Sequence, residues 1–169
     1  LTNLLESAKN TEFGQQYDFK TIKTYREFAK RVPVSTYENY HKFIERSRRG
    51  EQNIFCPKPI KWFAKSSGTT NAKSKFIPVS NASLEDCHYA AGKDLLCMYF
   101  NNNPNSELFN GKNLRLGGSK ELYEENGTVF CDLSAILIDN MPFWAEFSST
   151  PSNKVSLMSD WESKMQAIV

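Results

Sequence analysis

Residues 65–78 read KSSGTTNAKSKFIP. Ser66, Ser67, Gly68, Thr69 and Thr70 stand in series, with Lys65, Lys73 and Lys75 around them, whereas a plain turn needs only a couple of such residues. Upstream, Ile60-Lys61-Trp62-Phe63-Ala64 reads as a strand, and downstream Lys75-Phe76-Ile77-Pro78-Val79 reads as a second one. Strand, small-residue loop, strand is a hairpin with an oversized loop. A tightly curled backbone converges consecutive N–H groups, and such a concavity binds phosphate. Gly68 supplies conformational freedom and close approach, the four hydroxyls add small donors, and Lys75 adds a point charge. No GxxxxGK[ST] pattern fits, so the stretch is not a Walker A loop. A structural turn rich in Ser and Thr is the alternative reading of the same residues.

Outward from the hairpin, the chain is ordinary in bulk. Its 169 residues fit one domain or a large piece of one, and 40% hydrophobic with 24% charged residues excludes wholesale disorder. Twenty-one basic against 19 acidic residues gives no general drive toward nucleic acid or a membrane surface. The longest apolar run, Ala135 to Ile138, is far too short to span a bilayer. Cys56, Cys87, Cys97 and Cys131 lack any CxxC pairing and any metal-ligand spacing, so no metal site is expected and a reduced cytoplasmic protein is. The chain starts at Leu1 and reads as a trimmed piece of something longer.

The first fifty residues read as small helices. Leu1, Leu4, Leu5 and Ala8 share a helical face that Phe13-Gly14 closes. Thr24 with Glu27 forms a capping box for a helix ending before Pro33, and Ser35 with Glu38 repeats it for a helix running to Gly50. After the hairpin (60–80), Leu84, Cys87, His88, Ala91, Leu95 and Met98 follow the spacing of one long amphipathic helix to about Phe100. Leu114 to Leu116 reads as a strand ending at Gly117-Gly118, with a backbone approach to ligand as the second reading of Gly117-Gly118-Ser119; Asp132 reads as the cap of a helix over Ala135 to Ile138, and Ser159 with Glu162 as the start of a last helix. Residues 83–169 are therefore helices with short strands. The whole is a single α/β domain, helix-rich and incomplete, with too few strands for its helices.

Trp62 to Thr70, Lys73 to Ser80 and Asp132 to Ile138 closely resemble bacterial members of the Gretchen Hagen auxin-responsive family of acyl acid–amido synthetases, within the adenylate-forming superfamily. The resemblance runs along the chain and implies the N-terminal portion of the large domain of such an enzyme. It implies that ATP activates a carboxylic acid and that an amino acid then accepts the acyl group as an amide. Ser66, Ser67, Gly68, Thr69, Thr70 and Lys75 would contact ATP phosphates, with Mg²⁺ bridging phosphate oxygens. The helix carrying Tyr89, Gly92 and Lys93 would line the acyl-acid pocket; a solvated face is the alternative for Tyr89 and Lys93. Ala72 departs from the family's glycine there and narrows the backbone's freedom. In relatives the adenine and ribose segments, the magnesium-ligating acid and the C-terminal domain lie downstream, so no catalytic residue is assigned and this piece alone is expected to be inactive. A thioester-forming ligase acting on coenzyme A, or a non-catalytic anion-binding module, remain the competing readings.

Overall fold

A computed structural model describes residues 1–66, 74–119, 123–125 and 127–168. Of the expected phosphate-binding residues, Ser67, Gly68, Thr69 and Thr70 lie outside the described residues. The chain divides into two compact units: residues 1–61 with 125–128, and residues 62–124 with 129–169.

The first unit is helical: α1 (Thr2–Ala8), α2 (Glu12–Gln16), a 3₁₀ turn Phe19–Thr21, α3 (Tyr25–Arg31) and α4 (Tyr37–Arg48). Phe13-Gly14 does not close the first helix; it lies inside α2. The break comes from Thr11, whose hydroxyl donates to Ala8 O (2.7 Å) and accepts from Gly14 N (3.0 Å). That clasp draws α2 so close that a Cβ on Gly14 would stand 1.9 Å from Ala8 O. The first-turn amides of α2 find acceptors in the loop before the hairpin, Glu12 N on Asn53 O and Phe13 N on Ile54 O (2.9 and 3.0 Å), so no orphan donors remain there. Leu5, Phe19 and Ile22 form a core with Phe13, Tyr17, Phe28 and Val32 against it. Phe13 also meets Tyr40, Phe43 and Phe55 at ring separations of 5.7–6.3 Å.

The Thr24–Glu27 capping box is present. The second box shifts by one residue: Thr36 is the cap, and Asn39 Oδ1 accepts from Thr36 N (2.8 Å). Both Ser35-Glu38 and Thr36-Asn39 offer the same chemistry three residues apart, and Glu38 falls instead in the first turn, where it suits the helix dipole. Arg46 on α4 binds Glu12 through both terminal nitrogens (2.8 and 2.7 Å) and also pairs with Glu51.

The second unit is built on a four-stranded sheet. Its strands are β1 (Trp62–Ser66), β2 (Lys75–Val79), β4 (Tyr123–Glu125) and β5 (Thr128–Asp132), in the order β2-β1-β5-β4, while β3 (Asn113–Leu114) pairs elsewhere. β1 and β2 form the expected antiparallel hairpin, Trp62 opposite Val79 and Ser66 opposite Lys75. The ladder begins two residues later than expected because Ile60 N–H is taken by Gln52 Oε1 (3.1 Å) and the Ile60 side chain is buried. β5 lies parallel to β1, with Phe63 beside Phe130 and Lys65 beside Asp132.

Alternation splits the sheet into two faces. On one, Ala64, Val79 and Cys131 pack with Leu84, Ala135 and Ile136. On the other, Phe63 and Phe130 stack at 5.4 Å and Phe76 meets Phe130 edge-on at 5.6 Å. Both stacked rings are fully buried.

After β2, Ser80 and Ser83 cap one another, each hydroxyl accepting the other's N–H (3.1 and 3.0 Å). The chain then forms a wide π turn, Ser83–Tyr89, before α5 (Ala90–Asn102). The single amphipathic helix expected here is therefore corrected. A π turn winds differently from an α-helix, so the face buried by Leu84 does not continue: Leu95 and Met98 are 68% and 66% exposed. The remaining elements are α6 (Leu133–Asp139), α7 (Trp144–Phe147), β6 (Ser149–Thr150), α8 (Asn153–Ser156) and α9 (Trp161–Ile168). β3 is shorter than Leu114–Leu116 and pairs parallel with β6. α9 is capped by Asp160, whose carboxylate accepts from Ser163 N (2.7 Å), not by Ser159.

Candidate functional site

Parallel strands leave their carboxyl ends on one edge, where open sheets bind ligands. β1 and β5 end together there, with Lys65 paired to Asp132 and adjacent strands about 4.8 Å apart. Ser66 is the last residue of β1, not the first of a loop, and its register partner is Lys75. The two described members of the expected phosphate set therefore face each other where the hairpin opens, both half-buried.

Asp132 sits at the cap position of α6 but makes no side-chain cap bond. Its carboxylate reaches away from its own helix and accepts from Ser119 N (3.1 Å). Two residues along, Ser134 Oγ accepts from Gly118 N (2.8 Å). Gly118 lies so close to this acid that a Cβ would stand 2.3 Å from Asp132 Oδ2. Next to it, Lys164 of α9, only 3% exposed, donates from Nζ to Gly117 O (2.9 Å). Residues 117–119 are thus held by three side chains from three elements. The expectation of a plain strand end at Gly117-Gly118 missed this, because the anchors lie far away in sequence; the tight Gly-Gly pair was the only local signal.

Tyr89 and Lys93 are not brought together. Tyr89 packs against the Ala64–Ile136 core and donates its hydroxyl to Leu137 O (2.8 Å). Burial, with the Glu85 carboxylate second, pushes its phenol above the ordinary value, which keeps that donor protonated. Lys93 and Gly92 are exposed on α5. His41 is exposed on α4, 3.9 Å from Glu45 Oε1, and His88 is half-buried in the π turn. None of the four cysteines is in a disulfide. Among the described residues no group of three or more His, Cys, Asp or Glu could hold a metal ion, and no helix is long and apolar enough to cross a membrane.

The solved GH3.15 acyl acid amido synthetase aligns with 98% of the chain at a TM-score of 0.79 and 22% identity. The same fold recurs in the AtGH3.15 acyl acid amido synthetase solved in complex with 2,4-DB, again at 0.79. The GH3 family N-terminal domain matches residues 1–169, and the chain belongs to the GH3 family. Among curated relatives, the indole-3-acetic acid-amido synthetase GH3.15 of Arabidopsis thaliana is 41% identical over 59 residues, covering 34% of this chain and 10% of its own length. The jasmonoyl–L-amino acid synthetase JAR4 of Nicotiana attenuata is 31% identical over 86 residues, 50% of this chain and 15% of its own. The chain spans 29% of the solved GH3.15 chain. The family resemblance and the fold class expected from the sequence both hold.

Proposed function

We propose that this chain is the N-terminal part of an ATP-dependent acyl acid–amido synthetase. ATP and a carboxylic acid react to give an acyl-adenylate and pyrophosphate. An amino acid amine then attacks the acyl carbon, forming the amide and releasing AMP. A free carboxylate is a poor acyl donor; adenylation replaces an oxide leaving group by a stabilised phosphate, and the protein's part is to position the acid and offset charge at the phosphates.

The observation that carries this reading is the hairpin mouth: Ser66 and Lys75 are register partners at the carboxyl edge of β1, which lies parallel to β5. From there, Lys75 offers an ammonium to the terminal phosphates and Ser66 a hydroxyl. Ser67, Gly68, Thr69 and Thr70 carry the remaining donors of the proposed phosphate set. Mg²⁺ belongs to the proposal as an ion carried on the phosphate oxygens, and no described residue is assigned to it. Tyr89 is proposed for the acyl pocket only as packing behind its wall, since its hydroxyl is committed to Leu137 O; Lys93, exposed, is available to a ligand's carboxylate. The chain contributes to one partial domain of the enzyme, with the adenine-binding and C-terminal parts supplied by the rest of the polypeptide. A bacterial cytoplasm is proposed as its setting, which the undisulfided cysteines suit.

The test is pyrophosphate release by the full-length enzyme carrying this sequence, across a panel of carboxylic acids and amino acids. Acid-dependent pyrophosphate followed by amide product is expected. Release followed by transfer only to coenzyme A would move the enzyme to the thioester-forming ligases. No ATP-dependent pyrophosphate with any acid would leave an anion-binding module.

A further inference from the structure

An aspartate at a helix cap normally accepts from its own helix's first-turn amides. Asp132 does not; it accepts from Ser119 N at 3.1 Å, across the carboxyl end of β5. Three further facts make this a built feature. Gly118 N is held by Ser134 at 2.8 Å, and Gly118 has no room for a Cβ against the acid. Gly117 O is held at 2.9 Å by the buried amine of Lys164. Side chains therefore satisfy the backbone of 117–119 where a sheet partner otherwise would, and that fixes its path residue by residue. Asp132 is also the register partner of Lys65, the residue before Ser66. The held strap therefore lies one strand from the hairpin mouth.

We infer that Asp132 is a positioning residue for nucleotide use: by holding residues 117–119 across the end of β5, it builds one wall of the site that opens at Ser66 and Lys75. Asp132 does not touch substrate in this role; it acts through the Ser119 amide, with Ser134 and Lys164 fixing the neighbouring residues. The inference rests on the function proposed above, and the experiment separates the two.

In the full-length enzyme, Asp132→Ala removes the acceptor, whereas Asp132→Asn keeps an oxygen that can still accept the Ser119 N–H. Steady-state pyrophosphate release at varied ATP is measured for both, with thermal unfolding alongside. Misplacement of a site wall costs roughly ten- to hundred-fold in kcat/KM for ATP, so Asp132→Ala should lose that much. Asp132→Asn should stay within about threefold of the parent, since the hydrogen bond that positions the strap survives. Amide hydrogen exchange of the full-length enzyme should show the Ser119 amide protected in the parent and released in Asp132→Ala. The inference falls if Asp132→Ala is less stable but retains the parent's kcat/KM. It falls too if Asn is as damaging as Ala, because the charge would then act on the ligand directly. A parent that releases no pyrophosphate sinks both the inference and the function beneath it; an active parent with an unaffected Asp132→Ala sinks the inference alone.

Discussion

Lys75 and Tyr89 show how differently two polar side chains of one unit serve it. Lys75 stands opposite Ser66 at the hairpin mouth, half-buried, and belongs to the proposed phosphate set. A charge-assisted hydrogen bond is worth about 1.5–3 kcal/mol; Lys75→Ala in the full-length enzyme should weaken ATP use by that amount. A loss of only a few tenths would remove Lys75 from the phosphate set. Tyr89 behaves the other way. Its hydroxyl bonds Leu137 O from a half-buried position, so Tyr89→Phe should cost about 0.5–1.5 kcal/mol in a urea titration. At Gly14, where a Cβ would collide with Ala8 O, alanine should cost more than the usual surface substitution, because the obstacle is backbone and cannot swing aside. Denaturant unfolding of Gly14→Ala measures it directly.

Among the elements, the hairpin was legible because its signals are local: two β-rich runs around a Ser/Thr/Gly stretch. Its start was misjudged by two residues because Ile60's amide is claimed by Gln52, a partner that spacing cannot reveal. The Thr24–Glu27 cap was readable for the same local reason, and the shift from Ser35 to Thr36 reflects two equivalent caps in adjacent frames. β5 went unread as a strand. Thr128-Val129-Phe130-Cys131 gains its identity from pairing with β1, whose residues lie far upstream. The π turn was also invisible, since Leu84, Ala91 and Leu95 fit a regular α-helix on paper. Of the proposed site, Ser66 and Lys75 stand out by residue type alone, whereas Asp132 reads as a helix cap because its partner Ser119 approaches only in three dimensions. Phe63 and Phe130 are the test of the sheet. Both are fully buried and stacked, and removing a buried aromatic costs about 3–5 kcal/mol. Phe130→Ala should therefore unfold the second unit at a much lower denaturant concentration, while Phe130→Leu should recover most of the loss.

At the scale of the whole chain, pH should act through Arg46. Its hydrogen bonds to Glu12 and Glu51 hold both carboxyls below their ordinary 4.5. A carboxyl with a depressed folded-state pKa stabilises the fold above that ordinary value and loses its contribution as pH falls through the depressed one. Urea midpoints should therefore drop as pH is lowered from 5 through the acid range, and the drop should be smaller in Arg46→Met. Salt should shrink the difference as well, because all three side chains are partly exposed.

The parallel pairing of β1 with β5 also sets an order of events during synthesis. The β1–β2 hairpin can close as soon as Val79 has left the ribosome, since a two-strand turn forms in microseconds. β1 then waits with one edge bare until Asp132 emerges, because β5 is the strand that pairs there. An open edge of Trp, Phe and Ala is an invitation to pair with another chain. Slowing translation between Val79 and Thr128 would lengthen that wait, and the yield of native protein made in a cell should fall with it.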